Sequence, residues 1–361
     1  MRLLVTALAT LCTSHPAVAM ELPRALTDAD YAPVAVDEAQ LGQLLFYDPI
    51  LSGNRNISCA TCHHPKFNTG DGVSLSIGEG GVGLGPARRP DPSNPPEELI
   101  PRHAQALFNL GAVEFTRLFH DGRIEVDSKQ PNGLRTPMDG DMTQGFASVL
   151  SAQTMFPVLS QDEMAGHYSE NDVSKAVRTG RITGDGGAWD IIANRVSKIS
   201  EYQSLFNDVY PDIDTGRQIA FTDISNAIAA FIEMEWRSDS SPFDAFLNGA
   251  PLSLDATPGL ELFYGDAGCS TCHSGPFQTD HDFHAMGLVQ FGPGKAASFE
   301  DHARDTGRMG VTGRQEDAYK FRTTSLRNVT KTAPYGHTGA YPTLDGFIEA
   351  HANPTHALDT Y

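Results

Sequence analysis

Apolar positions along this chain recur with the period of short helices rather than of strands, and glycine- and proline-rich stretches separate them. The clearest run is 221–236, where Ile224, Ile228, Phe231 and Ile232 return at three- and four-residue intervals and predict an amphipathic helix. Leu41 to Tyr47 predicts a second, stopped by Pro49. Weaker helical patterns cover 107–118, 147–152, 175–181, 191–199, 202–209 and 344–351. Residues 70–101, with glycines from Gly78 to Gly85 and prolines from Pro86 to Pro101, predict a long surface loop. Residues 124–146 hold few apolar positions and read as an excursion between elements. The pattern as a whole predicts an all-α, loop-rich protein.

Two of these elements lead into the same pentapeptide. The helix at 41–47 and the turn Leu51 to Ser58 precede Cys59-Ala60-Thr61-Cys62-His63; the run Gly259 to Gly265 precedes Cys269-Ser270-Thr271-Cys272-His273. Helix, short loop, C-x-x-C-H makes a weak internal repeat and predicts two cytochrome c-like units. C-x-x-C-H is the attachment sequence of a c-type haem. The two thiols add across vinyl groups of the porphyrin, and the histidine beside them ligates the iron. A zinc site would need four ligands in one place, and a redox dithiol has no need of the histidine. The two copies use four of the five cysteines.

The N-terminus changes the picture of those cysteines. Arg2, an apolar run from Leu3 to Leu11 and Ala17-Val18-Ala19 read as a signal peptide over 1–19, cleaved before Met20. Cleavage removes Cys12 and leaves every remaining cysteine committed to haem. The run is too short to span a membrane, and no later stretch qualifies. Export agrees with thioether attachment, which in Gram-negative bacteria takes place outside the cytoplasm, so the expected compartment is the periplasm. Ser240-Ser241-Pro242 marks the expected boundary between an N-terminal haem unit, 20–240, and a C-terminal one, 241–361. The formal charge of −19 becomes −20 once Arg2 is lost. Such a field disfavours nucleic acid and anionic membranes; it attracts a basic partner or serves solubility alone.

Several stretches then carry a resemblance: Leu41 to His63, Phe119 to Arg123, Gln153 to Met164, Ser241 to Asp244, Cys269 to Gly287 and Phe321 to Gly339. With Leu45-Phe46-x-Asp48-Pro49-x-Leu51-Ser52 and Leu326-Arg327-Asn328-Val329 before Ala333-Pro334-Tyr335, the chain resembles the bacterial diheme cytochrome c peroxidase and MauG superfamily. The resemblance implies that hydrogen peroxide meets the N-terminal haem, with His63 as proximal ligand and the distal face open. It implies distal roles for Gln153 and Glu163, which stand ten residues apart as in the family. Peroxide cleavage moves a proton from the near oxygen to the leaving one, work for a carboxylate whose pKa burial has tuned. Without the resemblance, Glu163 reads as an acidic charge beside Asp162 at a helix start.

The resemblance also implies a six-coordinate C-terminal haem. His273 is its proximal ligand, and the register after Ala333-Pro334-Tyr335 places His351 opposite it, with His356, Met286 and Met309 as rivals. Cytochrome c peroxidases carry methionine there, which raises the potential; histidine lowers it. That tilts the reading toward the MauG/MbnH-like branch, whose members share oxidising equivalents between two haems and oxidise residues of a partner protein. The alternatives are a cytochrome c peroxidase fed by a small redox protein, and a non-catalytic electron-transfer diheme cytochrome. Three departures stand out: His120 replaces an inter-haem tryptophan, 124–146 is an insertion, and a further helix is expected beyond Tyr361. The family also implies an inter-haem calcium ion held by the carbonyls of Thr332 and Pro334. Its asparagine position holds His103, a poor calcium ligand. Trp189, Trp236 and Tyr335 read as core residues, with hole relay as the alternative.

Overall fold

The computed structural model describes residues 21–130, 132–290 and 304–360; the segment expected to be a signal peptide lies outside them. Short helices dominate, with a few two- and three-residue strands. The first, α1 (Val36–Tyr47), opens with Asp37 and Glu38, whose charges complement the positive end of the helix dipole. It begins five residues earlier than its apolar pattern, and ends where Pro49 forces Asp48 into extended backbone. The attachment turn α2 (Cys59–Cys62) follows. After it come α3 (Val149–Thr154), α4 (Asp172–Arg178), α5 (Ala188–Val196), α6 (Ser200–Val209), α7 (Pro211–Asp214) and α8 (Phe221–Glu235). The C-terminal part holds α9 (Pro242–Leu247), α10 (Ala256–Tyr264), α11 (Met309–Thr312), α12 (Leu344–Ala352) and α13 (Pro354–Thr360).

The core is organised on α8, whose apolar stripe Ile224, Ile228, Phe231 and Ile232 is buried as its spacing predicts. Against it lies α1, with Leu41, Leu45 and Phe46 buried. The two helices meet at Gly42, where an added Cβ would lie 1.7 Å from the Ala227 carbonyl oxygen. The rings of Phe46, Phe231 and Trp236 close the end of this contact, with centroids 5.0–5.3 Å apart. Trp189 is likewise core, its indole N–H donating to the Met155 carbonyl at 2.9 Å.

Two expectations fail. Residues 107–118 form turns and a strand, not a helix. Asn109 has φ +60° and is bound to the end of α8: its N–H donates to the Trp236 carbonyl, and its side chain exchanges bonds with Ser238. The segment then enters β1 (Arg117–Leu118), which pairs antiparallel with β2 (Ile124–Val126), itself paired with β3 (Leu134–Arg135). Leu118 and Ile124 are fully buried, so the expected excursion at 124–146 begins as a packed sheet. The loop 70–101 is a loop, with one tiny hairpin at 81–82 and 89–90. Asp71, Ser76 and Glu79 are nevertheless buried within it, because it lies across the core rather than out in solvent.

The C-terminal part is tied to the rest by arginines. Arg308 makes a paired contact with the Glu125 carboxylate, 2.8 Å to each oxygen, and donates to the Gly122 carbonyl. Arg322 donates through Nε to the Phe119 carbonyl and through its backbone N–H to that of His120. Phe277, fully buried, inserts between Tyr31 and Phe115.

Candidate functional site

The first attachment turn is prepared by the loop before it. The buried Ser52 hydroxyl accepts from the N–H groups of Asn56 and Ile57, and Asp48 accepts from Ile50 N–H and from the Tyr202 hydroxyl. These bonds explain the polar residues of the Asp48-Pro49-x-x-Ser52 stretch. One helical turn then sets Cys59 and Cys62 three residues apart on one face. Burial pushes both thiols up to about 12. The His63 N–H donates to the Cys59 carbonyl at 2.9 Å, and its ring Nδ1 lies 3.0 Å from the Thr69 carbonyl oxygen. A carbonyl can only accept, so Nδ1 carries the proton and Nε2 keeps its lone pair.

The second turn repeats the arrangement. The His273 N–H donates to the Cys269 carbonyl at 3.0 Å, and Nδ1 is 3.2 Å from the Gln278 carbonyl oxygen. In both turns a carbonyl holds the Nδ1 proton, which makes Nε2 the nitrogen able to ligate a metal. Burial lowers the pKa of each. Just before the second turn, α10 buries none of its residues although Leu260, Leu262 and Phe263 lie on it. That leaves apolar surface next to Cys269 and Cys272 for a large apolar group, which fits a haem.

His351 faces His273. It lies in the last turn of α12, and the two ring centroids are 6.4 Å apart. Metal–nitrogen bonds of about 2 Å on either side of one ion, plus the half-width of each ring, require about this separation. Burial and then His273 lower the His351 pKa, and its Nδ1 is buried without a partner. Phe347, one turn earlier, packs on His351 at 5.5 Å and stacks on Tyr335. His356 belongs to α13, and Met286 is substantially exposed.

Near the first attachment turn, Glu163 lies in a single wide turn, Gln161–Ala165. Burial pushes its pKa up to about 7, against the pull of the Arg123 guanidinium. Its charge acts directly on Cys62, as do those of Asp71 and Arg88. The glycine-rich loop covers this turn: an added Cβ on Gly78 would sit 2.1 Å from the Asp162 carbonyl oxygen, and Glu79 N–H donates to that oxygen at 2.9 Å. Gln153 is buried on α3, and its amide oxygen has no partner. No hydrogen bond joins Gln153 to Glu163.

Sequence reasoning missed the cluster around His120. Its Nε2 is 3.1 Å from Asp305, which also pairs with Arg102 at 2.6 Å. Arg102 in turn donates to the His337 carbonyl, and its guanidinium lies over the Phe321 ring. Burial alone would raise the Asp305 pKa, but His120 and Arg102 hold it well below the usual carboxylate range. Burial lowers that of His120. Asp305 and His337 lie far along the chain from His120, so no local pattern announces the contact.

Two cysteine–cysteine–histidine turns, one with an enclosed acid nearby and one opposed by a second imidazole, define a c-type diheme protein of the peroxidase kind. The model of the di-haem cytochrome c peroxidase family matches residues 36–251, and the chain belongs to that family. The family implies two c-type haems and a diheme oxidoreductase. The chain is similar to cytochrome c551 peroxidase of Pseudomonas aeruginosa, 29% identical over 88% of this chain and 72% of that one. It is similar also to methylamine utilization protein MauG of Methylorubrum extorquens, 27% identical over 88% and 69%. Among solved structures it resembles a MauG-like protein associated with microbial copper homeostasis, at 27% identity and TM-score 0.59, covering 91% of this chain and 79% of that one.

Proposed function

We propose that the protein reacts with hydrogen peroxide at a haem carried by Cys59, Cys62 and His63, and draws the oxidising equivalents toward a second haem carried by Cys269, Cys272 and His273. The observation that supports this reading is the opposition of His273 and His351, two imidazoles that would hold the second iron, while His63 would hold the first. The haems supply the redox chemistry; the chain supplies proton handling and position. Glu163, poised near pH 7, takes the proton from the near peroxide oxygen and delivers it to the leaving one. Gln153, with its free amide oxygen, orients the peroxide hydrogen. Thr69 and Gln278 hold the two proximal rings in the ligating tautomer.

A second imidazole in place of methionine lowers the potential of the second site, which favours holding oxidising charge there over accepting electrons from a cytochrome. On this reading the final reductant is a residue of a partner protein, as in the MauG-like branch. Acting in the periplasm after removal of 1–19, with units divided near Ser241, the protein would attract a basic partner through its charge of −20. The cytochrome c peroxidase reading is the second one. The peroxidases among the relatives favour it, and so does His120, because an imidazole carries a hole less readily than the tryptophan it replaces. Mixing the oxidised diheme protein with peroxide, without reductant, separates them. A long-lived doubly oxidised state visible at both haems supports partner oxidation. Absence of that state with rapid turnover on a reduced small cytochrome supports the peroxidase. Inertness of both haems to peroxide would leave only electron transfer.

A further inference from the structure

A small cavity lies between the segment that follows the first attachment turn and the Thr332–Pro334 stretch of the C-terminal part. Its walls are the segment after the His63 anchor, Gly70-Asp71-Gly72, the stretch His103 to Ala106, and Thr332-Ala333-Pro334. The side chain of Asn68 donates to the Lys331 carbonyl at 2.9 Å and Ser74 to that of Thr338 at 2.8 Å, so both sides are fixed to one another. Thr332 and Pro334, the two carbonyl positions at which the family holds calcium, line this cavity. The third position is His103. Its Nδ1 is buried and has no hydrogen-bond partner. Burial, then the charge of Arg102 next to it, push its pKa down to about 4, so the ring is neutral at physiological pH.

Calcium takes six to eight oxygen ligands and has little use for a neutral nitrogen. An imidazole here removes one oxygen from the set and fills the space with a ring. The neighbouring Arg102 is paired with Asp305 at 2.6 Å, and the Asp71 carboxylate in the cavity wall accepts from the Val73 N–H of its own loop at 3.2 Å. We infer that this chain joins its two haem units without calcium, because His103 replaces an oxygen donor of the inter-haem cavity with an imidazole. Direct ties do that work instead: Asn68 to Lys331, Ser74 to Thr338, and the Arg102–Asp305–His120 cluster. The inference stands apart from the choice between partner oxidation and peroxidase turnover, since calcium binding is read without peroxide.

The test uses the full chain with both haems attached. Calcium content is measured after purification in calcium-containing buffer, and calcium is then titrated into chelator-treated protein by calorimetry, with haem absorbance followed in parallel. The wild-type protein should contain no stoichiometric calcium, bind none at micromolar levels, and keep its haem spectrum in chelator. His103→Asn restores the oxygen donor and should tighten calcium binding at least about 100-fold. His103→Ala, which removes the nitrogen without supplying an oxygen, should not. Stoichiometric calcium in the wild type, or a spectrum that collapses in chelator, overturns the inference even if the variants fail to fold. So does a folded His103→Asn protein, with its haem spectrum intact, that gains no calcium affinity.

Discussion

Replacing Glu163 with glutamine removes a carboxyl near the first attachment turn and keeps its shape. Burial raises that carboxyl from 4.5 to about 7, which corresponds to about 3 kcal/mol of preference for the protonated form in the folded state. The sign follows from linkage. The folded protein holds this proton more tightly than the unfolded chain, so the associated stability is fully present below pH 4.5 and lost as pH rises through about 7. Glu163→Gln lacks that loss. Its stability relative to wild type should therefore be near zero at pH 4.5 and grow to about 3 kcal/mol by pH 8, read by chemical denaturation of the protein with both haems attached. The chemistry moves the other way. The wild-type rate with peroxide should rise with pH, with a midpoint near 7, because only the ionised carboxylate accepts the proton. The variant should react about 10²–10⁴-fold more slowly, with no such midpoint. Stopped-flow mixing reads both. A variant that reacts within about threefold of wild type, or whose stability difference is flat with pH, refutes the assignment of Glu163 as the proton carrier.

Further outcomes follow from other contacts. His351→Met should raise the midpoint potential of the second haem in a redox titration and leave the first unchanged; an unchanged second potential means His351 is not its ligand. Arg327→Ala removes a buried guanidinium that pairs with Asp244 and donates to the Pro276 carbonyl beside the His273 loop. It should cost about 3–5 kcal/mol in chemical denaturation, because a carboxylate is left buried and unpaired. Gly42→Ala places a Cβ against the Ala227 carbonyl and should cost more than about 2 kcal/mol by forcing α1 from α8, whereas Leu44→Ala on the exposed side of α1 should change stability by less than about 0.5 kcal/mol.

Much of the chemistry was legible because it is local. C-x-x-C-H fits within one turn, and the carbonyls that fix the two proximal rings come from residues five and six positions later. The helix α8 was legible because its stripe is long enough for periodicity to prevail over noise. His351 was singled out through register with a resembling family and not through any pattern of its own, as were Gln153 and Glu163. Glu163 alone, next to Asp162, looks like a solvated charge; burial in the folded chain, with the Asp162 charge beside it, raises its pKa. The helix expected at 107–118 failed for a tertiary reason, since Asn109 is worth more as a cap on the end of α8 than as a helical residue. The His120–Asp305–Arg102 cluster joins residues separated by up to 203 positions, and its existence depends on how the two halves meet.

The decisive measurement is the low-temperature electron paramagnetic resonance spectrum of the fully oxidised protein. One high-spin haem with an exchangeable sixth position, beside one low-spin haem with two nitrogen ligands, is the predicted result, and peroxide should perturb the high-spin signal first. Two low-spin haems, or a methionine signature at the second, would contradict the division of labour between His63 on one side and His273 with His351 on the other.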